Sequence, residues 1–179
     1  KAKVDAMAER IREINPECRV TCIEDFVTHE NLNEILHAGF AVVIDAIDQV
    51  KIKAAMIAHC HQQGTPIIVA GAAGGQIDPT QIRLADLTQT VQDPLLARVR
   101  SILRREYGFA REGKKKFGVP AVFSTEPLRY PETGESCATD SGPSGLNCAG
   151  FGSSVCVTSV FGMAAAAHAI QTIIAADKS

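Results

Sequence analysis

The sequence has no pair of cysteines in C-x-x-C spacing, although it has six cysteines in all. Zinc ribbons hold their metal with two such pairs, so this absence argues against a structural zinc site. The five histidines form no metal-binding pattern, because His59 and His61 cannot share one face of a helix. Cysteines in apolar runs of an α/β chain are usually reduced core residues, which favours a reducing cytoplasmic location.

Glycine-rich nucleotide motifs are also missing. There is no G-x-G-x-x-G, and the run from Gly71 to Gly75 lacks a P-loop lysine, so it gives only weak evidence for phosphate binding. The N-terminus has no apolar core of the kind that a signal peptide requires. Because the sequence begins at Lys1 without an initiator methionine, we expect it to be part of a longer chain.

Charge is nearly balanced but unevenly placed. The 179 residues are 46% hydrophobic and 21% charged, which is typical of one compact globular domain, and the net charge of −2 indicates no particular partner. Residues 98–116 nevertheless have a net charge of +6, which leaves −8 for the rest of the chain. This segment is typical either of a phosphate-contacting surface or of a solvated helix face followed by a charged loop. Its basic residues are Arg98, Arg100, Arg104, Arg105, Arg111, Lys114, Lys115 and Lys116.

The hydrophobic periodicity predicts alternating helices and strands. Two apolar runs, 40–46 and 66–71, are typical of strands buried on both faces of a parallel sheet. The helix predicted between them, 50–63, completes a βαβ unit, so we predict an α/β fold with a mostly parallel sheet and flanking helices. The other predicted elements are helix 4–14, strand 19–26, a short helix up to Leu36, strand 81–87, helix 94–107 with Asp93 as N-cap, and strand 119–124.

Two long segments follow. Residues 126–147 hold most of the remaining turn formers and are predicted to form a long loop, which in a compact domain is usually mobile or functional. Residues 152–175 form a small, apolar helix that is long enough to span a membrane. Polar residues such as Thr158 and His168 interrupt it, so we predict a core or interface helix rather than a transmembrane span.

Asp45 and Asp48 give the strongest local sign of chemistry. They follow a predicted buried strand, and open α/β sheets bind ligands outside the carboxyl ends of their strands. Two carboxylates in this position are suited to magnesium, because hard cations prefer oxygen ligands. The structural alternative is that Asp45 accepts hydrogen bonds from the backbone and Asp48 caps the next helix. Lys3, at the start of the first helix, is either an ordinary solvated lysine or a phosphate ligand.

The cysteines divide into two groups. Cys22, Cys60 and Cys156 lie in apolar runs, and we predict that they are core residues. Cys137 and Cys148 lie in or beside the predicted long loop, where a nucleophile would have the exposure it needs. The alternative for both is an ordinary loop cysteine.

Five groups of residues support a family assignment when they are taken together: Lys3-Val4-Asp5 with Arg12-Glu13-Ile14-Asn15-Pro16, Asp45-Ala46-Ile47-Asp48, Gly74-Gly75-Gln76-Ile77-Asp78-Pro79-Thr80-Gln81-Ile82, Gln92-Asp93-Pro94-Leu95, and Val122-Phe123-Ser124-Thr125-Glu126. The first two resemble the adenylating domain of ubiquitin-activating enzymes and of the sulfur-carrier adenylyltransferases of thiamine and molybdopterin synthesis. The last three, with the missing zinc cysteines, resemble the tRNA threonylcarbamoyladenosine dehydratases. The resemblance covers residues 1–179 and implies that they are the C-terminal portion of one Rossmann-like adenylating domain.

The resemblance implies an ATP- and magnesium-dependent enzyme that activates the carboxylate of threonylcarbamoyladenosine beside the tRNA anticodon and then closes a ring with loss of water. By the same resemblance Lys3 contacts the ATP phosphates. Asp48 lies near magnesium and the α-phosphate, and Asp45 lies beside it. Cys148 is near the position where family members carry a cysteine, which makes it the candidate catalytic residue.

The resemblance also implies partners. It implies a homodimer, a tRNA substrate rather than DNA, a sulfur-transfer protein as a further partner, and a monovalent cation besides magnesium, with no zinc. The candidate tRNA-contacting residues are Arg98, Arg104, Arg105, Lys114, Lys115 and Lys116.

One departure from the family pattern matters for function. The family's glycine-rich ATP loop, ribose-binding acid and phosphate-binding arginine all lie before the position of Lys3, so we expect this chain alone to bind ATP poorly and to be inactive. Three alternatives remain: an adenylyltransferase for a ubiquitin-like sulfur carrier, a non-catalytic tRNA-binding fragment, and, on fold alone, a nicotinamide-dependent dehydrogenase.

Overall fold

A computed structural model describes residues 1–37, 39–111, 115–129 and 152–178 of the chain. The predicted alternation of helices and strands is largely present. The elements in chain order are α1 (Lys3–Ile14), α2 (Leu32–Ile35), β1 (Val43–Asp45), α3 (Val50–Gln63), β2 (Ile67–Ala70), β3 (Ile82–Asp86), α4 (Pro94–Glu106), β4 (Pro120–Ser124) and α5 (Val155–Ala176), with short 3₁₀ turns at Pro79–Gln81 and Leu87–Gln89.

The four strands form one sheet in the order β1-β2-β4-β3. The first three are parallel, with Ile44 opposite Ile68 and Val69 opposite Ala121, whereas β3 runs antiparallel to β4. This arrangement confirms the prediction of a mostly parallel α/β sheet. Because parallel strands point the same way, the carboxyl ends of β1, β2 and β4 meet at one edge of the sheet, called the carboxyl edge below.

The side chains of each strand point alternately to the two faces of the sheet, and this divides the core into two layers. Ile67 and Val69 of β2 face helices α3 and α4, where Ile57 and Leu96 are fully buried. Ile68, between them in sequence, faces α5 on the other side of the sheet. Successive strand side chains point to opposite faces, so the sheet is covered by α3 and α4 on one side and by α5 on the other.

The prediction of a strand at residues 19–26 is wrong, because this segment pairs with no strand in the described part of the chain. Its alternating pattern fits a strand, but a strand also needs a neighbour for its backbone hydrogen bonds. Burial of the 40–46 run on both faces is wrong as well: in β1, Val43 is buried but Ile44 is 46% exposed.

Single residues fix the end of α3 and the start of α4, and the second is the predicted N-cap Asp93. Gly64 ends α3 with φ of 70°, in the left-handed conformation that glycine adopts without strain, and its N–H contacts the carbonyls of the last turn. Asp93 caps α4 by accepting a hydrogen bond from the Leu96 N–H at 2.9 Å, and Pro94 occupies the first turn.

Helix α5 buries only one stripe of its surface. Val157, Phe161, Ala165 and Ala169 recur every four residues and pack on the sheet, whereas Met163 is 73% exposed. Within the described residues α5 is also the one helix that is long and apolar enough to cross a membrane, which is weak evidence for a span because it rests on length and composition alone. Of the predicted core or interface helix, the buried stripe is the core part, and the interface role of the exposed remainder stays a prediction.

Candidate active site

The carboxyl edge brings together polar side chains from separate parts of the sequence. Asp45 ends β1, the loop from Gly71 to Asp78 follows β2, and Glu126 follows β4. The N-terminus of α4, at Asp93, contacts the same loop. Since ligands of open α/β sheets bind at this edge, it is the candidate active site.

Asp45 and Lys53 form a buried ion pair at the end of β1. Lys53 Nζ lies 2.9 Å from Asp45 Oδ1, and both side chains are fully shielded from solvent. Lys53 also donates to the backbone oxygen of Asp45 at 3.3 Å. Burial raises the pKa of Asp45 and lowers the pKa of Lys53, and the attraction between the two charges opposes both shifts. A lysine of α3 is therefore the principal partner of this carboxylate.

Asp45 also fixes the turn that leads to Asp48. The Ile47 N–H donates to Asp45 Oδ1 at 3.1 Å, which closes a short turn of the type that aspartate forms with its own backbone. The other carboxylate oxygen, Oδ2, is buried and has no hydrogen-bond partner among the described residues. Asp48, at the far side of this turn, is exposed.

Asp93 connects the loop after β2 to helix α4. Its Oδ2 accepts from the Ala72 N–H at 2.9 Å, while its Oδ1 caps α4. Burial raises the pKa of Asp93, and these backbone hydrogen bonds act in the opposite direction. Gly71 approaches the carboxylate so closely that a Cβ atom at this position would lie 2.0 Å from Asp93 Oδ2.

Glu126 holds the far end of the same loop. Its Oε2 accepts from the N–H groups of Ile77 and Asp78 at 2.9 and 2.8 Å, and the bond from Asp78 is the main cause of the lowered pKa of Glu126. Gln76, between the two anchored points, is 1% exposed, and neither its amide nitrogen nor its amide oxygen has a partner in the described part of the chain. Buried amides normally have such partners, so Gln76 marks a polar position that the described residues do not satisfy.

Two clefts open beside α4. The first, of about 630 Å³, is called the arginine cleft and is lined by Ala97, Arg100, Ser101, Arg104, Arg105 and Arg111. The second, of about 390 Å³, is lined by Gln92, Asp93, Pro94, Ala97, Arg100, Pro127 and Leu128. Since both clefts include Ala97 and Arg100, they are adjacent, and the second one reaches the carboxyl edge at Asp93.

Comparison with known proteins decides the family. The family model described as "ThiF family" matches residues 1–179. This chain belongs to the ThiF family. Within the family its relatives are dehydratases: the Escherichia coli K12 protein named tRNA threonylcarbamoyladenosine dehydratase is 50% identical over 97% of this chain and 67% of its own length. The Haemophilus influenzae protein of the same name is 48% identical over 97% of this chain and 66% of its own length.

Solved structures agree with this assignment. The crystal structure of the E. coli tRNA N6-threonylcarbamoyladenosine dehydratase in complex with ATP matches 99% of this chain and 65% of that protein, with 46% identity and a TM-score of 0.85. The same enzyme in complex with AMP matches with a TM-score of 0.84. The predicted membership of the dehydratase branch is confirmed. This ThiF-family chain spans about two thirds of the length of these relatives.

The two predicted ligand carboxylates have different surroundings. Asp45 is buried against Lys53, whereas Asp48 is exposed, and the role of both in binding a nucleotide and magnesium stays a prediction. Lys3 is exposed at the first residue of α1 and forms no ion pair with either carboxylate in the described structure. Its contact with phosphates stays a prediction. Cys148, the predicted catalytic residue, lies outside the described residues.

The cysteine predictions are corrected in part. Cys60 is buried as predicted, and burial raises the pKa of its thiol to about 11. Cys22 and Cys156 were predicted as core residues but are exposed. Cys22 lies in the unpaired 19–26 segment, and Cys156 precedes the buried Val157 on the other side of α5. Apolar neighbours in sequence therefore do not by themselves bury a cysteine, because burial depends on whether its side chain faces a packing partner.

The predicted tRNA-contacting residues differ in their position relative to the arginine cleft. Arg104 and Arg105 line the arginine cleft, whereas Arg98 is exposed and does not line it. Lys115 and Lys116 are exposed, and Lys114 lies outside the described residues. The sequence reasoning missed Arg100 as a member of the cleft, and it also missed Lys53, Asp93, Gln76 and Glu126 at the carboxyl edge.

The described residues can contribute one carboxylate to a magnesium ion that is bound with a nucleotide. No group of three or more histidine, cysteine, aspartate or glutamate side chains in the described ranges could hold a metal by itself. Magnesium bound with a nucleotide needs only one or two carboxylates, because phosphates and water supply the other oxygens. Asp48 is exposed and can provide one such carboxylate.

Proposed function

We propose that this chain is part of an ATP-dependent enzyme that dehydrates threonylcarbamoyladenosine in tRNA. The observation that carries the proposal is the 50% identity to the E. coli dehydratase over 97% of the chain. The structural match to that enzyme in complex with ATP supports the use of this nucleotide. The absence of C-x-x-C pairs disfavours a zinc-containing sulfur-carrier adenylyltransferase.

The proposed chemistry solves one problem of carboxylate reactivity. A carboxylate is a poor electrophile with a poor leaving group. Attack of its oxygen on the α-phosphorus of ATP expels pyrophosphate and forms an acyl adenylate. A nucleophile of the same threonylcarbamoyl group then attacks the activated carbonyl, closes the ring and expels AMP. The substrate loses the elements of one water molecule in total, and ATP takes them up as AMP and pyrophosphate.

The chain's own residues have distinct parts in this proposal. Asp48 supplies the carboxylate that holds magnesium near the phosphates. Asp45 acts through its turn to Ile47 and its ion pair with Lys53, which together fix the backbone that carries Asp48. Asp45 is thus a positioning residue and not a direct ligand. Lys3 is proposed as a second phosphate contact.

Replacing Asp48 tests the proposed site. In the full-length protein, Asp48→Ala should reduce AMP release in the presence of threonylcarbamoyl-modified tRNA to background, because the metal would lose its protein carboxylate. The thermal midpoint should stay within about 2 °C, because Asp48 is exposed. Glu34→Ala, on the exposed side of α2, is the matched control and should retain full activity. Unchanged AMP release by Asp48→Ala would remove this residue from the site.

The tRNA requirement tests the reaction itself. AMP or pyrophosphate should be released by the wild-type full-length protein only when modified tRNA is present. Release that depends instead on a small ubiquitin-like carrier protein would favour the sulfur-carrier alternative. Binding of tRNA without any ATP turnover would favour the non-catalytic alternative.

We also propose a cytoplasmic location, a sulfur-transfer partner, and a monovalent cation besides magnesium.

We further propose that α5 contributes to a homodimer. Val155, Met163, Ile170 and Ile174 are exposed apolar residues on this helix, and large exposed apolar patches usually mark an interface. In the full-length protein, Met163→Glu with Ile170→Glu should shift the sedimentation coefficient from that of a dimer to that of a monomer. A dimer that persists in this variant would place the interface elsewhere.

A further inference from the structure

Four arginines converge on one cleft that has no described acidic lining residue. Arg100, Arg104 and Arg105 come from α4, and Arg111 follows that helix. Arg105 is paired with the neighbouring Glu106 at 2.6 Å, but none of the other three has a carboxylate partner among the described ion pairs. A concentration of unpaired guanidinium groups in a cleft is a site for anions.

Two of these arginines are held in place by the protein. Arg100 donates to the backbone oxygen of Leu87 and to the hydroxyl of Thr90. The guanidinium of Arg104 lies 5.5 Å from the centre of the Phe117 ring, within the range of a cation–π contact. Side chains that are already ordered lose less entropy when a ligand binds, so the cleft is prepared for its ligand.

The charges of the same two arginines are only partly compensated. They are four residues apart on α4, a spacing that places side chains beside each other on a helix. Burial lowers the pKa of Arg100, the positive charge of Arg104 lowers it further, and the carboxylate of Asp93 acts in the opposite direction. The Nε atom of Arg104 is buried and has no hydrogen-bond acceptor within the described part of the chain. An anion in the cleft would provide both the missing negative charge and an acceptor.

The position of the cleft indicates which anion. It adjoins the second cleft, which reaches the carboxyl edge at Asp93. A single small anion in the arginine cleft would not extend to that edge, whereas a polymer with regularly spaced phosphates would. The planar guanidinium fork matches phosphate oxygens, and the acidic remainder of the protein would repel such a polymer from other surfaces.

We propose that the arginine cleft binds consecutive phosphates of the tRNA backbone and directs the strand along α4 towards the carboxyl edge. This inference rests on the proposed function, in which tRNA is the substrate. It assigns Arg100 and Arg111 to RNA binding and excludes Arg98, which is on the same helix but outside the cleft.

Binding of fluorescently labelled, unmodified tRNA to the full-length protein tests the assignment. At about 0.1 M salt, Arg104→Gln with Arg111→Gln should weaken binding at least roughly tenfold, because two guanidinium–phosphate contacts would be lost. The slope of log affinity against log salt should become shallower by about one to two, as expected for that number of lost phosphate contacts. Arg98→Gln should change the affinity less than about twofold.

A second variant controls for the loss of the contact between Arg104 and Phe117, which the first variant removes. Arg105→Gln with Arg111→Gln removes charges from the cleft without touching that ring, and it should also weaken binding while the thermal midpoint stays unchanged. Arg12→Gln on α1 is the control for net charge and should bind like the wild type. Equal losses in Arg12→Gln, Arg98→Gln and the cleft variants would show general electrostatic attraction and overturn the proposal.

Three further outcomes complete the test, and the first separates this inference from the proposed reaction. Arginine-dependent tRNA binding in a wild-type protein that never releases AMP would retain the cleft and refute the dehydratase. If polyglutamate displaces the labelled tRNA from the cleft as effectively as unlabelled RNA does, the assignment would be overturned. That result would indicate an acidic polypeptide as the ligand. AMP release by the cleft variants that recovers at high tRNA concentration would support it, because only the tRNA affinity would have changed.

Discussion

The buried pair of Asp45 and Lys53 allows a sharp test of how the carboxyl edge is held together. The proposed change is Lys53→Met in the full-length protein. Methionine is similar to lysine in length and can occupy the same space in the core, so the change removes a charge without creating a large cavity. It leaves Asp45 buried beside an apolar side chain.

The expected loss of stability follows from the geometry. Both side chains are fully shielded, and the Nζ–Oδ1 distance of 2.9 Å is that of a strong charge-assisted hydrogen bond. Removing one partner of such a pair destabilises proteins by about 3–5 kcal/mol, because the remaining charge has no compensation. Asp45→Asn with Lys53→Met removes both charges, and Asn keeps an oxygen for the Ile47 N–H. This double variant should recover at least about 2 kcal/mol relative to the sum of the single changes.

Urea unfolding measured by circular dichroism provides the assay. Lys51→Met on the exposed side of α3 is the matched control and should cost less than about 0.5 kcal/mol. In Lys53→Met the pKa of folded Asp45 lies further above its unfolded value. The loss of stability should therefore be small below about pH 3, where the unfolded carboxyl is also largely protonated, and should grow towards pH 7. A cost below about 1 kcal/mol at pH 7, or strict additivity in the double variant, would refute the argument.

Two further changes test the neighbouring structure. Gly71→Ala would place a Cβ 2.0 Å from Asp93 Oδ2, so we expect a loss of about 1–3 kcal/mol in urea unfolding, and wild-type stability would contradict the close approach. Burial acts to raise the pKa of Asp86, but hydrogen bonds from Thr88 and from backbone N–H groups lower it overall, so its contribution is present above about pH 4 and is lost as the pH falls through the folded pKa. Asp86→Asn should therefore show a smaller loss of thermal midpoint between pH 5 and 3 than the wild type, and parallel curves would show that this carboxylate does not contribute.

Local rules predicted the helices whose ends are fixed by single residues. Helix α3 ends at Gly64 because glycine adopts the left-handed conformation there, and α4 begins after Asp93 because its side chain accepts the Leu96 N–H. Both signals depend on neighbouring residues alone. The strand predicted at 19–26 depends instead on a distant partner, which no local pattern supplies.

The candidate site was harder to predict for a similar reason. The spacing of Asp45 and Asp48 is the same whether both face a ligand or one of them is paired inside the protein. The deciding residue was Lys53, eight positions later, and a lysine followed by the apolar run from Ala54 to Ala58 was an available sign of a buried charge. Glu126 is about 50 residues from the loop that it holds, so only the fold brings them together.

The two oxygens of Asp93 have a mechanical consequence. One holds the first turn of α4 and the other holds the backbone just after β2, at 2.9 Å each. The helix that carries the arginines and the loop beside the sheet are thereby held by one rigid carboxylate group. Sliding the helix along its axis would have to drag the loop with it or break one of the two bonds.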